Sequence, residues 1–252
     1  MIELAAVILC HDEIEHLGPC IDSARFADEV VVLADANSPR LADVVRLAES
    51  AGARILQRPF DDYASHRNAA LQMVEADWVL FVDVDERVTP ALAAEVREVI
   101  RSGRAVGYGI PRDNYIFGRL TRHAGWYPDY QTRLLRRTSA RYDPARPVHE
   151  VAILDGEEKQ LQNPLIHYNY RDVAHFIEKQ RRYARIDAGI LYHQGVRPRA
   201  RQLIGPPLRQ FRWRFFTLEG YKDGLHGLRL SLLMAWYEWL KYRYLAARWR
   251  SP

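Results

Sequence analysis

The chain has 252 residues, 48% of them hydrophobic, which is enough for one large domain or for one domain with an appendage. Two cysteines provide neither a disulfide framework nor a metal cluster, which suits a reducing compartment. The first ten residues lack the features of a signal peptide, and no apolar run reaches the roughly 18–20 residues that span a bilayer.

Charge is distributed unevenly along the chain, although the net charge is only +4. Residues 1–170 carry 19 Lys and Arg against 26 Asp and Glu, whereas residues 171–252 carry 17 against 6. A basic C-terminal part predicts contact with an anionic surface, either a membrane or a nucleic acid. No recognition-helix or RNA-binding motif accompanies the charge, so we expect a membrane surface and no nucleic acid.

The first 105 residues alternate between strand-like and helix-like segments. Strands are predicted at 4–10, 29–34, 53–56 and 78–82, and helices at 14–26, 41–50, 63–75 and 90–102. This alternation predicts an α/β fold with a mostly parallel sheet and helices on both faces. Asp12, Asp35 and Asp83 follow the first, second and fourth strands, at the edge where open sheets bind ligands. Glycine-rich dinucleotide and P-loop motifs are missing, which argues against those two classes.

The fourth strand ends in a concentrated group of acids. Its apolar run, residues 78–82, predicts a strand buried on both faces, and Asp83, Asp85 and Glu86 follow directly. Carboxylates in such a place are costly without a positive partner, and their oxygens suit Mg²⁺ or Mn²⁺. The alternative is an acidic loop before a helix that Thr89 caps, and Asp-x-Asp alone does not decide between the two.

The alternation ends after residue 111. Residues 112–170 are rich in Arg, Tyr, Pro and His, and we expect a loop-rich β region laid across the open edge of the sheet. Two motifs stand out, at 125–131 and 148–150, because loops on a rigid scaffold often carry function. Packing of the aromatic rings and capping of turns is the alternative for each motif. Short strand-like pieces occur at 132–136, 148–154 and 164–168.

The rest of the chain predicts helices at 172–195 and 225–249. Between them, arginines alternate with large apolar residues, and the last helix combines Arg and Lys with Trp and Tyr. This composition is typical of a helix at a membrane interface. The alternative is a helix that packs on the domain or on a second subunit.

Six blocks of the chain carry a resemblance to a known family: Val7–Glu13, Val30–Ser38, Arg67–Leu71, Asp77–Glu86, Gly125–Leu134 and Val148–Glu150. Taken in order, they resemble family 2 glycosyltransferases of the GT-A fold. The similarity is greatest to the bacterial subgroup that includes lipopolysaccharide-core β-glucosyltransferases, and it covers residues 3 to about 185. Two departures adjoin the expected nucleotide pocket: Arg40 replaces an aspartate of the family, and His11 stands where asparagine is common.

The resemblance implies a GT-A catalytic domain over residues 1–195, with a nucleotide-binding half at 1–105 and an acceptor-side half at 106–170. A basic aromatic helical tail over 196–252 follows it. The implied activity is inverting transfer of a hexose, glucose or a relative, from a UDP-linked donor to a lipid-linked, lipopolysaccharide or exopolysaccharide acceptor. We expect a cytoplasmic protein, peripheral on the inner face of the cytoplasmic membrane, whose tail contacts lipid or forms a homo-oligomer.

The resemblance also implies site residues. Asp129 is the expected catalytic base, with Glu150 in reserve. Asp83, Asp85 and His149 are the expected ligands of Mg²⁺ or Mn²⁺, although a hydrogen bond in a turn is an equal alternative for His149. Nucleotide or substrate contacts are expected from Asp12, Glu13, Asp35, Asn37, Arg67, Asp83, Trp126, Gln131 and Arg133.

Two other functions stay open. A metal-dependent phosphotransfer enzyme, such as a phosphatase of the haloacid-dehalogenase type, also places Asp-x-Asp after a strand. That motif uses the first strand and has Thr or Val where this chain has Arg87. The second alternative is a non-catalytic membrane-surface assembly protein on the same scaffold. The retained acids Asp83, Asp85 and Asp129, together with His149, argue against it.

Overall fold

The computed structural model describes residues 2–143 and 151–250. In chain order its strands and α-helices are β1 (Leu4–Cys10), α1 (Ile14–Ala24), β2 (Glu29–Asp35), α2 (Leu41–Ser50), β3 (Arg54–Arg58), α3 (Tyr63–Met73), β4 (Trp78–Asp83), β5 (Glu86–Val88), α4 (Pro90–Ser102), β6 (Gly107–Ile110), β7 (Arg112–Ile116), β8 (Arg119–Thr121), β9 (Gln131–Arg136), β10 (Ala140–Tyr142), β11 (Ala152–Leu154), β12 (Glu158–Gln160), β13 (Leu165–Tyr170), α5 (Val173–His193), α6 (Gly205–Arg212) and α7 (Gly224–Arg250).

Contacts divide the chain into two compact units. The first unit contains Met1–Arg112 and Asp129–His167, and the second contains Asp113–Pro128 and Tyr168–Pro252. The predicted domain boundary at residue 195 does not coincide with this division. The reason is that α5, which lies before that boundary, packs along α7, which lies after it.

A seven-stranded sheet forms the frame of the first unit, in the order β12-β6-β9-β4-β1-β2-β3. β1 lies between β2 and β4 and is parallel to both, so that Leu9 pairs with Leu33 on one side and with Asp83 on the other. β9 runs antiparallel to β4 and β6. The carboxyl ends of β1, β2 and β4 therefore meet at one edge. The predicted α/β class with a mostly parallel sheet is confirmed.

Helices cover both faces of this sheet, because the interior positions of its central strands are apolar. In β4, Trp78, Leu80 and Val82 pack in the cluster that α1, α2 and α4 cover. Val79 and Phe81 pack in the opposite cluster, together with side chains of α3. An unbroken apolar run of this kind is what a strand buried on both faces requires.

The chain leaves the acidic end of β4 through a well-defined helix start. Thr89 Oγ1 accepts a hydrogen bond from the N–H of Leu92 at 3.1 Å, so the predicted N-cap of α4 is confirmed. The helix ends at Gly103, whose φ of 61° favours glycine. Just before the cap, β5 pairs antiparallel with β13, and Glu86 lies opposite His167.

The second unit has a core of its own. The hairpin of β7 and β8 contributes to it, as do α5 and α7. Leu230 of α7 is fully buried there, so the C-terminal helix is part of the packing of this unit. In the part of the chain that the structure describes, none of the helices combines the length and apolarity needed to cross a membrane. The core side chains are Ile116, Tyr170, Phe176, Leu230 and Met234.

Candidate active site

Asp35 is held as a carboxylate at the end of β2. Its Oδ1 accepts hydrogen bonds from the N–H groups of Asn37 at 2.8 Å and Phe60 at 2.9 Å, and its Oδ2 lies 2.7 Å from Nδ1 of His11. Burial alone would raise the pKa of Asp35, but these three partners hold it below its usual value. The structure thus fixes the Asp35 side chain, while nucleotide binding by Asp35 and by the exposed Asn37 stays a prediction.

The turn after β1 is stabilised by Glu13, an acidic residue within the turn. Glu13 Oε2 accepts hydrogen bonds from the N–H groups of His11 at 3.0 Å and Asp12 at 3.1 Å. Arg40, which departs from the family pattern, lies beside this turn, with Nη1 donating to the carbonyl of Asp12 at 3.4 Å and to Glu15 at 3.1 Å. Nucleotide contacts by Asp12 and Glu13 stay predictions.

Asp83 lies between two arginines. Arg67 Nη2 donates to Oδ1 of Asp83 at 2.9 Å, and Arg133 Nη2 donates to Oδ2. Burial alone would raise the pKa of Asp83, but the charges of Arg133 and Arg67, followed by those of Arg112 and His167, hold it well below its ordinary range. The acid at the end of β4 thus has its positive partners within the protein. Its role as a metal ligand stays a prediction.

Asp83 and Asp129 are linked through a second carboxylate, that of Glu86, and the arginines beside it. Glu86 is fully buried, and its Oε2 accepts a hydrogen bond from the N–H of Asp83 at 3.0 Å. Its Oε1 lies 3.4 Å from Nη2 of Arg133 and 3.4 Å from Nη1 of Arg112. Arg112 then donates from Nε at 2.9 Å and from Nη2 at 2.5 Å to Oδ2 of Asp129.

We call this arrangement the ionic network. Carboxylates and guanidinium groups alternate along it, so each buried charge has a neighbour of opposite sign, as buried ions require. The network connects the acid after β4 with the predicted base. Its members are Asp83, Glu86, Asp129, Arg67, Arg112 and Arg133.

The start of β9 supplies two of the predicted residues. Gln131 and Arg133 are two apart on this strand, and its register with β6 shifts at Arg133, which is left unpaired between Thr132 and Leu134. Arg133 belongs to the ionic network, and Gln131 Nε2 donates to Oδ1 of Asp129 at 2.9 Å. Asp129 thus has donors at both oxygens, and its direction is fixed by the protein.

Asp85 has a histidine neighbour that the sequence did not suggest. Its Oδ2 lies 3.5 Å from Nε2 of His167, which is buried on β13. Over residues 2–143 and 151–250, no group of three or more His, Cys, Asp or Glu side chains is placed to hold a metal ion. A carboxylate and an imidazole nevertheless fit a divalent cation that takes its other ligands from substrate phosphates and water. The predicted residues His149 and Glu150 lie outside the described residues.

Sequence analysis missed His167 and Arg112. One signal for His167 was available, because Leu165 and His167 are both buried and lie two apart on a short strand. A histidine on the inward face of a strand needs a polar partner. Arg112 gave no such signal, since it lies at the start of β7 among many other arginines of this region.

Trp126 belongs to the second unit and is held there by local contacts. Asn114 Nδ2 donates to its carbonyl at 2.8 Å, and the guanidinium of Arg214 lies 5.3 Å from the centre of its ring. Burial lowers the pKa of Arg214 to about 10. Gly125 has a φ of 79°, and a Cβ there would lie 2.7 Å from a methyl group of Leu218. The motif is closely packed, and substrate binding by Trp126 stays a prediction.

Several known proteins with similar sequences are named as glycosyltransferases. The lipopolysaccharide core biosynthesis glycosyltransferase LpsC of Rhizobium meliloti (strain 1021) is 28% identical over 246 residues, which cover 94% of this chain and 89% of that protein. An uncharacterized glycosyltransferase of Rickettsia felis is 23% identical over 255 residues, covering 96% of this chain and 88% of that protein.

Two solved structures are similar at lower identity. S. aureus TarS 1-349 in complex with UDP-GlcNAc has a TM-score of 0.49 at 13% identity and covers 98% of this chain and 91% of that chain. Glucosyl-3-phosphoglycerate synthase from Mycobacterium tuberculosis in complex with Mn²⁺, UDP-glucose and phosphoglyceric acid has a TM-score of 0.48 at 16% identity. It covers 78% of this chain and 81% of that chain.

A family model described as Glycosyl transferase family 2 matches residues 5–149. This match contains the ends of β1, β2 and β4 and every member of the ionic network. Because it spans more than half of the sequence, the chain belongs to glycosyl transferase family 2.

Proposed function

We propose that this glycosyltransferase moves a hexose from a UDP-linked donor to a lipid-linked or lipopolysaccharide acceptor, with inversion at the anomeric carbon. The observation that carries the proposal is the ionic network. It connects Asp83, on the donor side, with Asp129, the predicted base, through side chains of one unit. Transfer needs both groups in a fixed relation, because the acceptor attacks on the face opposite the leaving group.

On the donor side, the chain offers one acceptor of hydrogen bonds and two positive charges. The ionised carboxylate of Asp35 is suited to bind the ribose hydroxyls or the base of the nucleotide. Arg67 and Arg133, beside Asp83, add positive charge near the expected place of the diphosphate. Asp85 and His167 would hold Mg²⁺ or Mn²⁺, which supplies Lewis acidity for the departing diphosphate.

On the acceptor side, we assign proton removal to Asp129. As the acceptor oxygen forms its bond to C1 of the sugar, the bond from C1 to the diphosphate oxygen breaks, and the hydroxyl proton passes to a carboxylate oxygen of Asp129. One displacement inverts the configuration, so an α-linked donor gives a β-linked product. Arg112 and Gln131 orient the carboxylate for this step.

The acceptor class is supported by two observations. LpsC, which is similar over 94% of this chain, is named as a lipopolysaccharide core enzyme. The basic C-terminal part, with 17 Lys and Arg against 6 Asp and Glu in residues 171–252, suits the anionic inner surface of the cytoplasmic membrane. We therefore propose a peripheral position on that surface, with self-association through the C-terminal helices as the alternative.

Asp129→Asn tests the assignment of the base. This change keeps the shape of the side chain but removes the proton acceptor, so transfer should be lost while donor binding, measured by calorimetry, is retained. Asp155→Asn is the matched control, because Asp155 is an exposed acid of the same unit. Transfer by Asp129→Asn at a rate near that of the unchanged protein would remove Asp129 from the role.

A thermal-shift screen of UDP-, GDP-, ADP- and dTDP-sugars with Mn²⁺ tests the donor. We expect the largest rise in Tm with a UDP-sugar, because a ligand that binds only the folded state stabilises it. A rise with another nucleotide alone would correct the donor. If no nucleotide-sugar changes Tm, the non-catalytic assembly protein becomes the better reading. Family membership leaves the phosphotransfer hypothesis without support.

A further inference from the structure

Large apolar side chains are exposed together in one part of the second unit, residues 197–216, which we call the arginine-rich segment. Ile204 is 71% exposed, Leu208 59%, Phe216 58% and Trp213 45%. Single exposed apolar residues are ordinary on a protein surface, but a cluster of large ones marks a contact surface. A cluster of this kind is typical of a surface that a partner covers.

The charge of the arginine-rich segment indicates the charge of a partner that would bind there. Residues 188–218 contain no Asp or Glu, whereas residues 197–216 contain six arginines. Arg201, Arg209 and Arg212 are exposed, and within the described part of the chain none of the three forms an ion pair with a carboxylate. Positive charges without acids on their own surface favour an anionic partner.

The local geometry places apolar and basic side chains side by side. Ile204 and Leu208 are four residues apart, at the start of α6, and therefore lie on the same side of the helix. Arg209 and Arg212 flank this side. The helix continues directly into a π-helical turn at Trp213–Thr217, where the exposed ring of Phe216 packs edge-on against Phe215. Such a surface fits the boundary between lipid headgroups and acyl chains.

Two aromatic residues of the last helix are weaker candidates for a lipid contact than its composition predicts. Tyr237 of α7 donates a hydrogen bond to Asp187, and Trp249 Nε1 donates to the carbonyl of Val196 at 2.9 Å. The Trp249 ring also packs against Tyr192, with the ring centres 4.8 Å apart. These aromatic residues are engaged inside the second unit. Within the basic tail over 196–252, the contacts thus favour the arginine-rich segment over these aromatic residues of α7 as the membrane contact.

We propose that the arginine-rich segment docks on a bilayer that contains anionic lipid. Ile204, Leu208 and Phe216 enter the headgroup region, and Arg209 and Arg212 bind lipid phosphates. Exposed aliphatic residues favour lipid over nucleic acid, whose contacts are basic and aromatic. A second copy is disfavoured because two such segments repel each other. This inference rests on the membrane contact in the proposed function. Its test measures lipid binding and not sugar transfer, so one of the two proposals can fail while the other holds.

Co-sedimentation of the full chain with vesicles tests the proposal. The protein should bind vesicles of phosphatidylethanolamine and phosphatidylglycerol at low salt, and bind phosphatidylcholine vesicles weakly. Arg209→Gln with Arg212→Gln should lower the partition coefficient about fivefold for each arginine removed. Ile204→Ser with Leu208→Ser should lower it about tenfold or more, because two large apolar side chains lose their burial. All four side chains are exposed, so the variants should keep the Tm of the unchanged protein.

Two matched controls remove similar groups from the first unit. Arg101→Gln with Arg104→Gln removes two exposed arginines, and Met73→Ser with Ile153→Ser removes two exposed apolar residues. Both should bind vesicles as the unchanged protein does. Trp213→Phe should remove the part of the tryptophan fluorescence that brominated lipid quenches.

Three results would overturn the proposal. The first is equal vesicle binding by the segment variants and the unchanged protein. The second is binding of the unchanged protein to a single-stranded RNA oligonucleotide but not to anionic vesicles. The third is a dimer in light scattering that Ile204→Ser with Leu208→Ser dissociates, without any lipid binding. The opposite outcome is transfer by Asp129→Asn at the unchanged rate, together with vesicle binding that the segment variants weaken. It would remove Asp129 as the base and leave the lipid contact supported.

Discussion

Arg112 holds the carboxylate of Asp129 through Nε at 2.9 Å and Nη2 at 2.5 Å. Its remaining terminal nitrogen, Nη1, lies 3.4 Å from the fully buried Glu86. The guanidinium of Arg112 therefore holds Asp129, which precedes β9, close to Glu86 of β5 within the first unit. Only the planar fork of an arginine reaches both acids at once. The direction of the predicted base is thus set by the protein before substrate binds.

Arg112→Lys should lower kcat by about 100-fold and leave the KM for donor nearly unchanged, because a displaced base costs rate and not donor binding. The lysine keeps the charge but lacks the fork, so it should not rescue the activity. Steady-state kinetics with both substrates varied separates the two constants. Arg122→Lys is the control, since Arg122 forms an exposed pair with Asp113. A kcat for Arg112→Lys equal to that of the unchanged protein would show that Asp129 needs no positioning.

Asp28→Asn should make the stability of the first unit less dependent on pH. The Arg97 hydrogen bond outweighs the effect of burial and, with those from the N–H groups of Leu4 and Glu3, lowers the pKa of Asp28 to about 2. The unfolded value is about 3.9, so folding favours the ionised form. The stabilisation is therefore complete above about pH 5 and is lost as the pH falls through about 2.

Urea unfolding at a series of pH values measures this effect. The difference in free energy of unfolding between the unchanged protein and Asp28→Asn should be largest near neutral pH and shrink in acid. Asp43→Asn, on an exposed pair of α2, is the control and should show a small difference at every pH. A difference for Asp28→Asn that is the same at pH 7 and in acid would contradict the assignment.

Asp85→Asn and His167→Ala should each weaken Mn²⁺ binding in the presence of UDP by about 100-fold or more, since even the outer partners of a metal are worth 10–100-fold. Electron paramagnetic resonance of free Mn²⁺ measures the binding directly, without sugar transfer. His193→Ala removes an exposed histidine of the second unit and serves as the control. Asp83→Asn distinguishes the ligand pair Asp85 and His167 from the set expected from the sequence, which includes Asp83. Asp83 is already paired with Arg67 and Arg133. Unchanged Mn²⁺ affinity in both Asp85→Asn and His167→Ala would rule this pair out.

Leu230→Ala should destabilise the second unit by about 3 kcal/mol, because it opens a cavity in the core that Phe176 and Met234 share. Leu232→Ala, two residues later on the same helix, removes a side chain that is more than half exposed and should change the stability by about 0.5 kcal/mol or less. Thermal unfolding followed by circular dichroism compares the two variants. Equal Tm values for both would mean that α7 does not complete the core.

The sequence determined much of the first unit, because local patterns carry the information. A continuous apolar run is sufficient to predict that β4 is buried on both faces, and Thr89 before Pro90 is sufficient to predict the start of α4. The alternation of strands and helices fixes a parallel sheet, and a parallel sheet brings the acids after β1, β2 and β4 to one edge. These features depend on neighbours in the chain.

The partners of those acids were decided only by the tertiary structure. Asp83 pairs with Arg133, 50 residues away, and His167, which sits by Asp85, comes from the last strand of the first unit. With 36 Lys and Arg in the chain, no local pattern selects Arg112, and the motifs that single out Arg67 and Arg133 do not indicate that both pair with Asp83. Ion pairs form where the folded backbone brings opposite charges together. Separation along the chain does not predict which charges these are. For the same reason, composition predicted a lipid contact for α7, and only the contacts of Tyr237 and Trp249 within the second unit led us to propose the arginine-rich segment instead.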